Sequence, residues 1–142
     1  MFYSLDHGLF FANKVHREFY EQYLCGQTPD AYTKALIYTL GICGDTRRNI
    51  RSLYDFDDKS IKPDAITEGW QTSGSIRITR LAFNLFTDRP ATAYNENVSG
   101  DFDECRMYSV SDIFCCEFAP YFVEAIKLRY PEFMNVMLGL ED

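Results

Sequence analysis

No stretch of the 142-residue chain comes near the roughly eighteen consecutive apolar residues that a membrane span needs, so a transmembrane helix is excluded. Basic residues are also scarce: 14 Lys and Arg face 21 Asp and Glu, leaving a formal charge of −7. Affinity for nucleic acid comes from clustered Lys and Arg that neutralise phosphates, so direct nucleic-acid binding is not expected. The five cysteines (Cys25, Cys43, Cys105, Cys115, Cys116) form an odd set without regular spacing, which excludes a disulfide framework. Adjacent Cys115 and Cys116 diverge and cannot chelate as CxxC does, and neither His7 nor His16 stands at helical ligand spacing to a cysteine. No metal and no cofactor are expected. The N-terminus lacks a basic n-region followed by an apolar h-region, so a soluble cytoplasmic protein with reduced thiols is expected.

What is present is material for a core. Apolar residues make up 46% of the chain and aromatics 16%, enough for one domain, residues 1–142, to fold without staples. The chain is organised around residues 69–88, GWQTSGSIRITRLAFNLFTD. Thr72 or Ser73 can cap a helix there, and Ile78, Leu81, Ala82 and Leu85 recur at i, i+3, i+4 and i+7. Ile76, Phe83 and Phe86 spread apolar surface around most of the cylinder, while Arg77, Arg80 and Asn84 keep a narrow polar edge. Pro90 ends the pattern, so a central buried helix over about 73–87 is expected.

In chain order, residues 1–12 are aromatic but interrupted by Asp6, His7 and Gly8, which suit a turn and a packed lead-in. Asn13 caps a first helix, Lys14–Leu24, with Val15, Phe19, Tyr20, Tyr23 and Leu24 inward and His16 in its first turn as a hydrogen-bonded structural histidine. Thr28, Pro29 and Asp30 open a second helix that Gly41 closes. Asp45 or Thr46 caps a short helix to about Tyr54 with Arg47, Arg48 and Arg51 outward as a small basic cluster. Residues 55–68 and 91–107 read as polar loops, the first with room for one turn around Ala65 and Ile66. Ser109 and Asp112 resemble a capping box opening a helix that Pro120 kinks or restarts, and the tail from Phe133 to Leu138 is apolar enough to dock. A mostly α fold follows, a compact single-domain array of five to six helices.

Three pieces, FANKVHREFYEQYL (11–24), TSGSIRITRLAFNLF (72–86) and IFCCEFAPYFVEAIKLRYPEF (113–133), together resemble a family of small uncharacterised proteins from Gram-positive gut bacteria, their phages and conjugative elements. The resemblance implies a compact helical domain in a mobile-element setting and brings no activity and no functional residues.

Two function classes follow. The absence of catalytic motifs, the acidic balance and the resemblance point to a non-enzymatic protein-interaction module, such as an anti-CRISPR-like inhibitor of a bacterial defence system, whose partner is another protein. It would act through the acids Glu96, Asp101, Asp103 and Glu104, with Trp70 as an aromatic anchor. Most of the remaining excess acid, Glu141 and Asp142, also lies in the second half. The other class is a small-molecule or anion-binding helical domain, using Ser73, Gly74, Ser75 and Arg77 at the start of the central helix but lacking a P-loop lysine. Cys43, before Gly44 and Asp45, reads as a packing cysteine rather than a nucleophile at a helix start.

Overall fold

The computed structural model describes residues 2–3, 8–90 and 101–138. Its elements run β1 Phe2–Tyr3, β2 Phe10–Phe11, α1 Lys14–Leu24, α2 Ala31–Leu40, α3 Gly44–Arg48, α4 Ile50–Leu53, β3 Tyr54–Asp55, β4 Ser60–Ile61, a 3-10 turn Pro63–Thr67, α5 Ser73–Thr87, α6 Asp101–Arg106, α7 Val110–Phe114, α8 Ala119–Arg129 and α9 Pro131–Leu138. The mostly α architecture is as expected, with two short antiparallel ribbons added, β1–β2 in the register Phe2↔Phe11 and β3–β4 in the register Tyr54↔Ile61.

The expected central helix forms with the expected bounds. Thr72 accepts the Ser75 N–H while the Ser75 hydroxyl accepts the Thr72 N–H, a capping box with serine in place of the usual Glu. Its far end closes on Asp88 in the left-handed region, φ 65°. Ile78, Leu81, Ala82, Phe83 and Leu85 are buried, each such large side chain stabilising by roughly 1.5–3 kcal/mol.

It does not stand alone as the axis. Helix α2 packs against both α5 and α8, and its second half, residues 35–40, is buried at every position. No polar stripe interrupts that run; the aliphatic hydroxyl in it, on Thr39, donates to the Ala35 carbonyl at 2.6 Å, as Thr79 does to Ser75 on α5. A helix segment apolar on all sides belongs in the interior, covered by several neighbours at once.

Further expectations change. On α1 the buried face carries His16 and Phe19, while Val15 is 54% exposed. The cap of α2 is Asp30, which accepts the Thr33 N–H at 2.8 Å, so Thr28 and Pro29 lie before the helix rather than starting it. The segment 44–54 breaks at Asn49 into two short helices, with Cys43 at the N-cap position and no side-chain cap, and Arg47 turns in to donate to the Gly41 carbonyl at 2.7 Å. Residues 101–106 form a helix where a loop was expected, and residues 54–61 form a hairpin whose turn is held by the Asp55 carboxylate accepting the Asp57 and Asp58 N–H groups. Pro120 restarts the chain as α8 after a break at 115–118. At the C-terminus the tail is helical, but Phe133 is 62% exposed rather than docked.

His16 is the structural histidine expected. Its Nδ1 accepts the Ala12 N–H at 3.1 Å, so Nε2 carries the proton and donates to the Tyr38 carbonyl at 2.7 Å. Burial pulls its pKa down to about 4 from 6.5, against the opposing effect of the Tyr38 hydrogen bond. The native state therefore holds it neutral while the unfolded chain protonates near 6.5. Stability contributed by this site is complete above pH 6.5 and falls as pH drops toward about 4, by up to about 3 kcal/mol. Urea unfolding between pH 7 and pH 4.5 checks this; a midpoint independent of pH across that window would contradict it. A charge at Leu81 (Leu81→Asp), buried in α5, is expected to abolish the cooperative thermal transition altogether.

Candidate functional site

The start of α5 is engaged from within. The capping box satisfies the Ser75 N–H, the Ser75 hydroxyl donates to Gln71 Oε1 at 2.6 Å, and Ser75 is buried. A Cβ at Gly74 would meet the Phe118 ring at 2.9 Å, so that ring lies over the first turn. Arg77 donates through Nε to the Asp112 carbonyl (2.9 Å) and through Nη1 to the Ser73 carbonyl (2.8 Å), tying α5 to α7. Ser73, Gly74, Ser75 and Arg77 thus meet around a helix start at which the Ser75 N–H and the Arg77 guanidinium are engaged by the protein itself. Trp70 is half-buried against the core, and its indole N–H donates to the Glu68 carboxylate at 2.7 Å.

The acids of the second half separate. Glu96 lies outside the described residues, and Asp101 and Asp103 stand on α6, which no sequence signal announced. Glu104 grips Arg80 with both oxygens, at 2.7 and 2.8 Å, in a pair whose side chains are only 14% and 15% exposed. The polar edge of α5 is therefore covered by the segment after it: Arg80 holds α6 and Arg77 holds α7.

A buried polar group that sequence reading missed sits under β2. Glu124 on α8 is 4% exposed, accepts the Phe10 N–H at 3.4 Å and pairs with Lys127 at 3.1 Å; the Tyr38 hydroxyl donates to the Phe10 carbonyl at 2.8 Å. Burial first, then Glu124, raises the Tyr38 pKa. Each of these groups is satisfied by the protein, so the cluster pins β2 onto α2 and α8.

A cleft of about 520 Å³ lies between the α1–α2 connection and the β3–β4 hairpin. Tyr23 and Phe56 stack on one side (centroids 5.0 Å, interplanar 18°), with Tyr54 edge-on to Phe56 at 4.9 Å. Ile37, Thr33, Asp30 and Lys59 also line it, with the connection 27–29 along one edge. A second cavity of about 460 Å³ shares Lys59 and is lined also by Ile61, Pro63 and Phe86. Nothing in the linear sequence joins 23, 30, 37, 54 and 56; only the hairpin, itself unforeseen, brings them together. Among the described residues no group of three or more His, Cys, Asp or Glu could hold a metal ion, and no helix is long and apolar enough to cross a membrane. The cysteines are free.

Fold and cleft together define a small, mostly helical domain with one aromatic-walled cleft at the hairpin end of its core. The chain belongs to a family of unknown function, DUF6075, whose model matches residues 6–139. No curated protein and no solved structure matches it.

The Arg80–Glu104 pair should behave as a coupled, half-buried clamp. Either Arg80→Gln or Glu104→Gln is expected to lower unfolding free energy by about 2 kcal/mol, and the double variant by clearly less than the sum. Strict additivity in chemical denaturation would show that the two groups do not hold each other.

Proposed function

We propose that the protein is a small non-enzymatic interaction module that meets a basic surface on a partner protein in the cytoplasm. The observation that carries this reading is a set of carboxylates without a basic partner beside aromatic side chains at one end of the core. Asp30, Asp55, Asp57 and Asp58 accept only backbone or hydroxyl hydrogen bonds, or none, among the described residues. The first turn of the helix that Asp30 caps carries Tyr32, which lies under the Arg129 guanidinium at 3.6 Å, and Arg129 stands also over Tyr130, beside the exposed Phe133. Tyr and Arg are the residue types on which interface energy concentrates, and unneutralised charge steers association.

Asp101 and Asp103, together with Glu96, extend the same chemistry into the second half, whereas the charge of Glu104 is offset by Arg80. Trp70 is the aromatic anchor of the neighbouring face. The resemblance to proteins of phages and conjugative elements gives the reading its finer form: an inhibitor of a bacterial defence system that occupies a basic nucleic-acid groove and competes with the nucleic acid for it.

Capture on the immobilised chain from a Gram-positive lysate, followed by kinetics with the purified partner, tests this. Association is expected to slow by about tenfold or more as salt rises from about 0.05 to 0.3 M, and again on reversing either Asp57 and Asp58 or Asp101 and Asp103 to Lys, with melting temperature nearly unchanged. Which reversal acts locates the surface. Binding indifferent to salt and to both reversals would retire the charge-steered reading in favour of Trp70 and the start of α5.

A further inference from the structure

The cleft beside the hairpin contains a polar group with no task inside the protein. Tyr54 is 4% exposed and lines the cleft, yet its hydroxyl has no hydrogen-bond partner among the described residues. That hydroxyl is not sealed off, because the Arg17 Nε is the buried polar side-chain atom found both enclosed and unpartnered. Leaving such a group unpaired costs about 1–3 kcal/mol unless water or a ligand reaches it. Asp30 lines the same cleft, and burial first, then the Asp30 carboxylate, raises the Tyr54 pKa.

The rest of the lining selects the ligand. One Asp30 oxygen caps α2 through the Thr33 N–H, leaving the other to accept from outside. The stacked Tyr23 and Phe56 rings present π surface, which attracts cations and packs against apolar stems. The lining holds one carboxylate, Asp30, and one cation, Lys59, while Asp55, Asp57 and Asp58 stand on the adjoining hairpin.

We infer that this cleft receives the side chain of an arginine from the partner protein, its guanidinium bonded to Asp30 and the Tyr54 hydroxyl and its methylene stem against Tyr23 and Phe56. The volume exceeds that of one such side chain, leaving space for the adjoining backbone of the partner. A planar guanidinium suits this lining better than an ammonium, since it stacks on rings and donates to two acceptors at once. The inference rests on the interaction reading, yet its test needs no partner. Binding in the cleft can therefore fail while charge-steered association holds, and the reverse.

The test is a titration of the isotope-labelled full chain, followed by backbone amide shifts, with butylguanidinium, the peptide acetyl-Gly-Arg-Gly-amide, neutral butylurea and inorganic phosphate. Butylguanidinium and the peptide are expected to produce saturable shifts at Thr33, Ile37, Tyr54 and Phe56 in the millimolar range, with butylurea and phosphate at least about tenfold weaker. Asp30→Asn, which keeps a capping side chain on α2, should weaken both by about tenfold, and Tyr54→Phe, which keeps the ring, by about threefold, at unchanged melting temperature. Absence of saturable shifts, equal response to butylurea, or tighter binding of phosphate would overturn the inference. Binding of butylguanidinium without the peptide would overturn its assignment to a partner and point to a free small cation.

Discussion

The structure depends on the mutual burial of α2 and α5. Residues 35–40 and the face Ile78, Leu81, Ala82, Leu85 are taken out of water together, in the most extensive packing between any two elements described. α8 closes over both through Phe122 and Ala125, and α1 is held to α2 through His16. Gly41, at the end of α2, lets α1 come close: a Cβ there would stand 2.7 Å from the Phe19 ring and 2.9 Å from the His16 ring.

From that core the surface follows. The arginines of α5 point to its one polar edge, where Arg77 and Arg80 fasten α7 and α6. Arg129, at the end of α8, donates to the Leu85 carbonyl and the Asp88 carboxylate, placing a cation at the C-terminus of α5 where the helix dipole favours it. Arg77, Arg80 and Arg129, like Arg47 and Lys127, are thus neutralised or bound inside the fold, while the acids of the α2 start and the hairpin meet no cation among the described residues. The acidic face is a consequence of where the arginines are used as much as of the count of acids, and it lies beside the aromatic cleft that the hairpin builds against α2.

The central helix was legible because cap, periodicity and stop agreed over 72–90, and α1, α2 and α8 because each carries its own punctuation. Asn13, Gly41 and Pro120 signal locally. What stayed hidden was set by contacts distant in sequence. His16 displaces Val15 on the buried face of α1 because its two ring nitrogens are satisfied by Ala12 and Tyr38, and no hydropathy pattern contains that. Helix α6 is held by an ion pair across 24 positions, from Arg80 to Glu104, in a stretch that composition alone assigns to a loop. The cleft joins two stretches of chain, 23–37 and 54–59, that only the fold brings together, so its residues carried no mark in the sequence, whereas the start of α5, which did, is capped and covered by its own neighbours.

Native-state hydrogen exchange tests the account at its base. The α2 amides of residues 37–40 and the α5 amides of residues 78–85 should exchange with one common free energy equal to that of global unfolding, and the hairpin at 54–61 should open at a lower one. Such a result would describe a rigid two-helix axis presenting a cleft whose outer wall can adjust. Exchange of α5 through a smaller opening while α2 stays protected would contradict it, because burial shared between two helices cannot be lost by one alone.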